Sequence, residues 1–425
     1  MRAAVVLAAF VIVGCGSSSP ESGDASPDAA TATDGPTSDA PTTSSDAGSD
    51  ASGYPAFAPD MPQIVDQGGS VLGSPRIVTV TWQADSNAAT FEAFGDAIGA
   101  SNYWHATTSE YGIAPATSGA SNHVRIQTAP ATKMTDTALD AFVADQVGDT
   151  ATSGWPANDA NTIYILYLPE SLELTSDGSN ACDVEDGYHD ETFTTSNDRV
   201  VYAVIVEGCH DTEDVVSFST ETASHELVES STDPFIQEAL AWTGFDADHY
   251  AWETWTEQQD ELADACQDND DAYYTDVAPF AYALQRSWSN ASAAAGHNPC
   301  VPVPGVPNYS AVALDPQPIT LTVDTKTIST KGFSIPNGQT QTIRLGLYSD
   351  APTADWTVSV VEGDGFSTPS TSHLQITMSA ASGNNGDVVD ATITTTATKA
   401  SGVLATILST QNGINHYVPF LVATE

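Results

Sequence analysis

The chain has 425 residues, of which 56 are Asp or Glu and only 10 are Lys or Arg, giving a formal net charge of −46. So acidic a surface repels nucleic acid and anionic lipid, and a nucleic-acid role is set aside on that ground.

In chain order, Met1 and Arg2 lead into an apolar run over residues 3–13 that ends at Gly14 and Cys15. Charge, short greasy segment and small residue follow one another as in a secretory signal, and the run is too short to span a bilayer with ease. Residues 12–15, Ile-Val-Gly-Cys, resemble a lipobox. That resemblance implies a signal peptide of residues 1–15, a lipid on Cys15 and, with Gly16 next, an outer-membrane or cell-surface protein that touches the membrane only through its anchor. Residues 16–53 contain no aromatic and no basic side chain. They are expected to form a disordered acidic tether of Ser, Asp, Ala, Thr and Pro.

The remaining chain, about 370 residues, exceeds what one core usually holds, which predicts two domains. Residues 76–82 alternate as a strand, and residues 88–111 carry Phe91, Phe94, Ile98 and Trp104 at helical spacing. Thr135 caps a second predicted helix that runs to Val147, and residues 162–168 and 200–206 read as buried strands. A Pro- and Gly-free segment over residues 214–231 predicts a helix that stops before Asp233 and Pro234. This α+β order, a mixed sheet with one chemistry-bearing helix, is assigned to residues 54–306. The Pro-rich stretch 301–307 then breaks the pattern. Beyond it, short Thr- and Val-rich runs at 319–323, 341–347, 356–361, 374–378, 390–395 and 418–422 predict an all-β, immunoglobulin-like sandwich over residues 307–425.

Cys182, Cys209, Cys266 and Cys300 are an even number in a chain expected to be exported, and so are read as disulfides. Three connectivities exist. The pairs Cys182–Cys209 and Cys266–Cys300 are favoured, because each brackets one predicted segment.

The predicted helix at 214–231 carries His225-Glu226-Leu227-Val228-Glu229. Residues four apart share a helix face, so His225 and Glu229 project side by side with Glu226 adjacent. This is the pattern of the HExxH zinc helix with Glu in place of the second His, and makes Glu226 the candidate general base. A third ligand must come from elsewhere. Glu261 and Asp264, again on one face if their segment is helical, resemble the downstream pair of the gluzincins, which implies Glu261 as ligand and Asp264 as its support, or the reverse. His189 is the other candidate ligand. Zinc is the expected cofactor, with calcium or manganese as alternatives because the donors are rich in oxygen. The aromatic group Trp242, Phe245, Tyr250, Trp252 and Trp255 lies between the two motifs and is read first as core, and second as a surface for sugar rings or a peptide.

Several of these residues occur in a recognisable series: Cys182, Gly187-Tyr188-His189, Val201-Tyr202-Ala203-Val204, Cys209, Ser224 to Glu229, Asp233-Pro234, Ala241-Trp242, Glu261 to Cys266, Gln285, Trp288, Asn290 and Cys300. Over residues 70–300 the series resembles the plant exordium, or phosphate-induced, protein family, whose members are extracellular and linked to growth. The resemblance implies that the HELxE and ExADxC motifs serve one site. Two functions follow as expectations. One is a zinc-dependent hydrolase of peptidase type acting on a peptide or a cell-surface polymer. The other is a noncatalytic, calcium-stabilised surface protein.

Overall fold

The computed structural model describes residues 53–176, 178–303, 305–323, 326–396 and 402–424. The expected signal, Cys15 and the tether up to residue 52 lie outside the described residues.

Five strands build the central sheet of the first region: β1 (Arg76–Trp82), β2 (His123–Ile126), β3 (Thr162–Leu168), β4 (Gly187–Phe193) and β5 (Arg199–Val206). Their order is β2-β1-β3-β5-β4. The first four are mutually parallel, and β4 runs antiparallel along β5 at one edge. The helices are α1 (Ala88–Ile98), α2 (Asn102–Thr108), α3 (Asp136–Gly148) and α4 (Val215–Thr232). Ile77, Ile163, Ile165 and Ala203 meet Phe91 and Phe94 of α1 and Leu227 of α4 on one face; Val80, Leu166 and Val204 meet Leu139 and Val143 of α3 on the other. Because both faces are covered, β3 and β5 read as unbroken apolar runs instead of alternating ones. Each such fully buried Leu, Val or Phe contributes about 1.5–3 kcal/mol of transfer free energy.

The single helical stretch expected over residues 88–111 is two helices. At Gly99 the backbone passes so close to Ala116 that a Cβ would stand 2.2 Å from its carbonyl oxygen, and the chain restarts at Ser101, whose hydroxyl accepts from the Trp104 N–H at 3.1 Å. α3 and α4 begin as expected. Thr135 Oγ1 accepts from the Ala138 N–H at 3.1 Å, and the Asp214 carboxylate from the Ser217 N–H at 3.1 Å. Both disulfides form in the favoured pairing, Cys182–Cys209 and Cys266–Cys300.

After residue 308 the only regular elements among the described residues are strands. One four-stranded sheet takes Tyr309–Ala313, Thr340–Ser349, Val388–Thr395 and Leu374–Met378 in that spatial order. A six-stranded sheet takes Gln317–Val323, Lys326–Ser334, Ile414–Ala423, Val403–Gln411, Trp356–Glu362 and Ser382–Gly383. Their inward side chains, among them Leu345, Ile393, Val358 and Ile407, share one core.

Among the described residues no β-ladder joins this sandwich to the first region, yet the described residues from 53 onward belong to one compact unit. Trp255 packs on Phe366 and Tyr417, each with ring centroids 5.6 Å away, and its Nε1–H donates to the Asp364 carbonyl at 2.9 Å. Asp270, in the polar loop after Cys266, accepts from the Asn415 N–H and the Tyr417 hydroxyl, both at 2.9 Å. The aromatic group between the two motifs is therefore largely packing: Trp252 and Phe245 close on Trp288 at 5.4 and 5.6 Å.

Candidate metal centre

α4 lies across the sheet beside β5 and the edge strand β4, and its apolar residues Ala223, Leu227 and Val228 hold it there. That seating turns His225, Glu226 and Glu229 toward β4 and toward the turn that precedes the short helix Asp264–Gln267. β4 approaches closely because it begins with glycine. A Cβ on Gly187 would stand 2.6 Å from Thr222 Cγ2 and 3.3 Å from Glu226 Oε1. Two residues on, His189 enters the same space.

The side chains converge in two overlapping triads, His189 with Glu226 and Glu229, and His225 with Glu229 and Asp264. Glu229, only 2 % exposed, is their shared member. Its Oε1 accepts from the N–H groups of Ala263 and Asp264, at 2.9 and 3.1 Å, which leaves Oε2 to face the imidazoles. His225 Nε2 stands 2.8 Å from Glu229 Oε2 and 3.5 Å from Asp264 Oδ1. His189 Nδ1 stands 3.9 Å from Glu229 Oε2 and 3.5 Å from Glu226 Oε2.

Each ring is held from behind. Gln285 donates its amide Nε2–H to the Ala263 carbonyl at 2.9 Å, so its Oε1 is the acceptor for His225 Nδ1 at 3.0 Å. His189 Nε2 donates to the Asp233 carbonyl at 3.1 Å. With those nitrogens carrying the protons, the neutral rings present the lone pair of His225 Nε2 toward Glu229 Oε2 and that of His189 Nδ1 toward Glu226 Oε2, the state in which imidazole binds a metal.

Electrostatics show how far the cluster is from self-sufficient. Burial alone would lower the pKa of His189, but Glu261, Glu226 and Glu229 outweigh it and push it up to about 10. His225 is driven upward too, burial being overcome by Glu229 and Glu226. Asp264 is pushed up to about 8 by burial and by Glu229. Burial and neighbouring carboxylates raise Glu261 well above its ordinary range. Without a bound cation the site must gather protons to offset its carboxylates. No Lys or Arg occurs between Arg199 and Arg286 to do so. Glu261 Oε1 and Asp233 Oδ2 are moreover buried without a hydrogen-bond partner. A donor set of this kind fits a divalent metal ion.

All six residues expected at the site, His189, His225, Glu226, Glu229, Glu261 and Asp264, are brought to this one place. The segment of Glu261 and Asp264 is a turn leading into one helical turn, and not a helix carrying both on one face. As a result Asp264 stands beside His225 and Glu229, while Glu261 lies 3.5 Å from His189 Nε2, the nitrogen turned away from Glu229.

No protein-family model and no curated protein matches the chain. Among solved structures it shows likeness to titin M4 in its trigonal form (14% identity, TM-score 0.16, covering 22% of this chain and 86% of that one). It shows likeness also to the titin M3 domain (9% identity, TM-score 0.17, 28% and 99%) and to a PapD-like domain of human CEP192 (12% identity, TM-score 0.16, 22% and 77%). Overlaps this short and loose carry no argument about the centre.

Two supports of the site are faint in the sequence. Gln285 stands out only as one member of the motif series, and Asp233 only there and as part of a helix stop; what orients the histidines is an amide and a main-chain carbonyl, neither of which has a spacing signature. The strand β4 is equally hard to read, because Gly187-Tyr188-His189-Asp190-Glu191 points polar residues inward.

Proposed function

We propose that the protein is an exported, lipid-anchored zinc hydrolase of peptidase type, built on a zincin-like region and an immunoglobulin-like sandwich. The observation that carries the reading is the pair of imidazoles, each ring fixed by a second hydrogen bond, whose free nitrogens face the Glu226 and Glu229 carboxylates. Imidazole donors suit zinc, whereas calcium and manganese sites are built mainly from oxygen. His225, Glu229 and Asp264 would hold the ion, with His189 closing the same space, and Glu261 would stand behind His189. Zinc there would supply Lewis acidity toward a substrate carbonyl. Glu226, buried against β4 and adjacent to the ligands on α4, takes the proton from the attacking water, and its close packing holds the carboxylate in place. The substrate is a peptide or a cell-surface polymer, and the lipid on Cys15 would keep the reaction at the surface.

Protein purified without added metal should carry roughly one zinc per chain. Glu226→Gln should keep that zinc and its Tm while lowering kcat on a susceptible peptide by about 10²–10⁴-fold. Full zinc occupancy with no cleavage across a peptide library would sink the hydrolase and leave a metal-bound surface protein. Chelation that changes neither metal content nor stability would sink both.

A further inference from the structure

The centre gathers more negative charge than one ion offsets. Carboxylates of Glu226, Glu229, Glu261 and Asp264 surround the imidazoles of His189 and His225, whose outer hydrogen bonds fix them as neutral donors. A single divalent cation balances only two of those carboxylates, and a buried charge left over is strongly destabilising. The excess lies on the side of His189. Glu261 Oε1 stands 3.5 Å from His189 Nε2 and has no hydrogen-bond partner. Asp233, whose carbonyl accepts from that same nitrogen at 3.1 Å, is fully buried, and its Oδ2 has none either.

The donors are arranged for a pair of ions. Glu229 Oε1 is engaged by the N–H groups of Ala263 and Asp264, at 2.9 and 3.1 Å. Oε2 lies between the rings, 2.8 Å from His225 Nε2 and 3.9 Å from His189 Nδ1. Each ring brings a further carboxylate of its own. Asp264 Oδ1 is 3.5 Å from His225 Nε2, and Glu226 Oε2 is 3.5 Å from His189 Nδ1. One imidazole nitrogen and two carboxylate oxygens, all within 4.8 Å of one another, therefore occur once on either side of Glu229. Each set supplies the three protein ligands of an open zinc shell.

We propose that a second zinc ion binds between His189, Glu226 and Glu229, with Glu229 Oε2 bridging it to the ion at His225 and Asp264. This rests on the first ion of the hydrolase reading and adds a form of control to it. Glu226 serves as a base only while its carboxylate is free. In the second triad it is a ligand. The singly loaded chain is then the active form and the doubly loaded chain an inactive one, so metal supply sets the rate.

The test strips the full chain with chelator and refills it with zinc, counting bound metal by equilibrium dialysis at physiological salt. The unmodified protein should saturate at about two zinc ions, and peptide cleavage should rise with the first and be lost with the second. His189→Ala should stop at about one. Glu226→Gln should stop there too, which covers a His189 variant that fails to fold. Cobalt(II) in place of zinc gives a readout free of activity. The electron paramagnetic resonance signal of the first equivalent should be attenuated by the second, because the ions share an oxygen, and neither variant should show that loss. Saturation of the unmodified protein at one ion would overturn the second site and leave the hydrolase standing. A second ion retained in both variants without cobalt coupling would overturn it as well, by placing that ion on surface carboxylates. A chain that takes up no metal would sink both readings.

Discussion

The two regions bury different kinds of polar group. Among the described residues of the sandwich, the buried polar side chains are Asn308, Ser310, Thr330, Ser349, Thr395, Thr406, Ser409 and Thr424, all neutral. The first region buries Glu92, His189, Glu191, Glu207, Glu226, Glu229, Asp233 and Arg286. A buried hydroxyl or amide can be satisfied by one nearby carbonyl, as Thr406 Oγ1 is by Gly363 at 2.6 Å, and even Ser409 Oγ, which has no partner, leaves no charge to offset. Buried ionisable groups need a counter-charge or a proton, and are kept where chemistry uses them. Under the proposed function the sandwich would be the scaffold and the first region the working part, although the two share a core.

Ways of breaking that comparison run from large effects to small. Trp255→Ala removes the ring on which Phe366 and Tyr417 close, and should destabilise by about 3–5 kcal/mol in denaturant titration. Tryptophan fluorescence and far-UV signal should fall in a single transition; two separate transitions would show that the regions are independent. Gln285→Ala leaves His225 without its orienting acceptor, and should weaken zinc binding about 10–100-fold in a competition assay while the sandwich is untouched. Affinity equal to the unmodified protein would mean that the ring needs no holding.

The smallest effect is one of pH. Glu253 shares a hydrogen bond with Asp260, and burial first, then Asp260, push its pKa up from 4.5 to about 8. A raised folded pKa gives stability that is complete below the unfolded value and declines as pH climbs through about 8. Glu253→Gln retains an acceptor for the Phe245 N–H, now made by the Glu253 carboxylate at 2.9 Å, and should flatten the fall in Tm between pH 5 and 8. An unchanged slope would assign the decline to other groups.

Much of this was legible in the residues. The cap at Thr135 and the apolar runs of β3 and β5 follow from local chemistry that the fold leaves intact, and the favoured one of three disulfide connectivities is the one that forms. The site was legible as a set of residues, because His225 and Glu229 share a helix face whatever surrounds them. Which carboxylate stands beside them was not, since that depends on whether residues 261–264 turn or coil. The sandwich strands Tyr309–Ala313, Lys326–Ser334 and Val403–Gln411 escaped notice for another reason. Lys326–Ser334 buries only Thr330, Gly332 and Phe333, too few apolar positions to mark a strand, and its place is set by pairing on both sides.

The packing of Trp255 has a practical corollary for anyone cutting the chain. The Pro-rich stretch at 301–307 looks like an inviting place to separate the first region from the sandwich. A fragment ending there would bare the indole that Phe366 and Tyr417 now cover, and would leave Phe57 without the Gly346 backbone on which its ring sits 3.0 Å from a would-be Cβ. Such a piece would meet water with an open hydrophobic flank, and expression trials should keep the whole span from residue 53 onward.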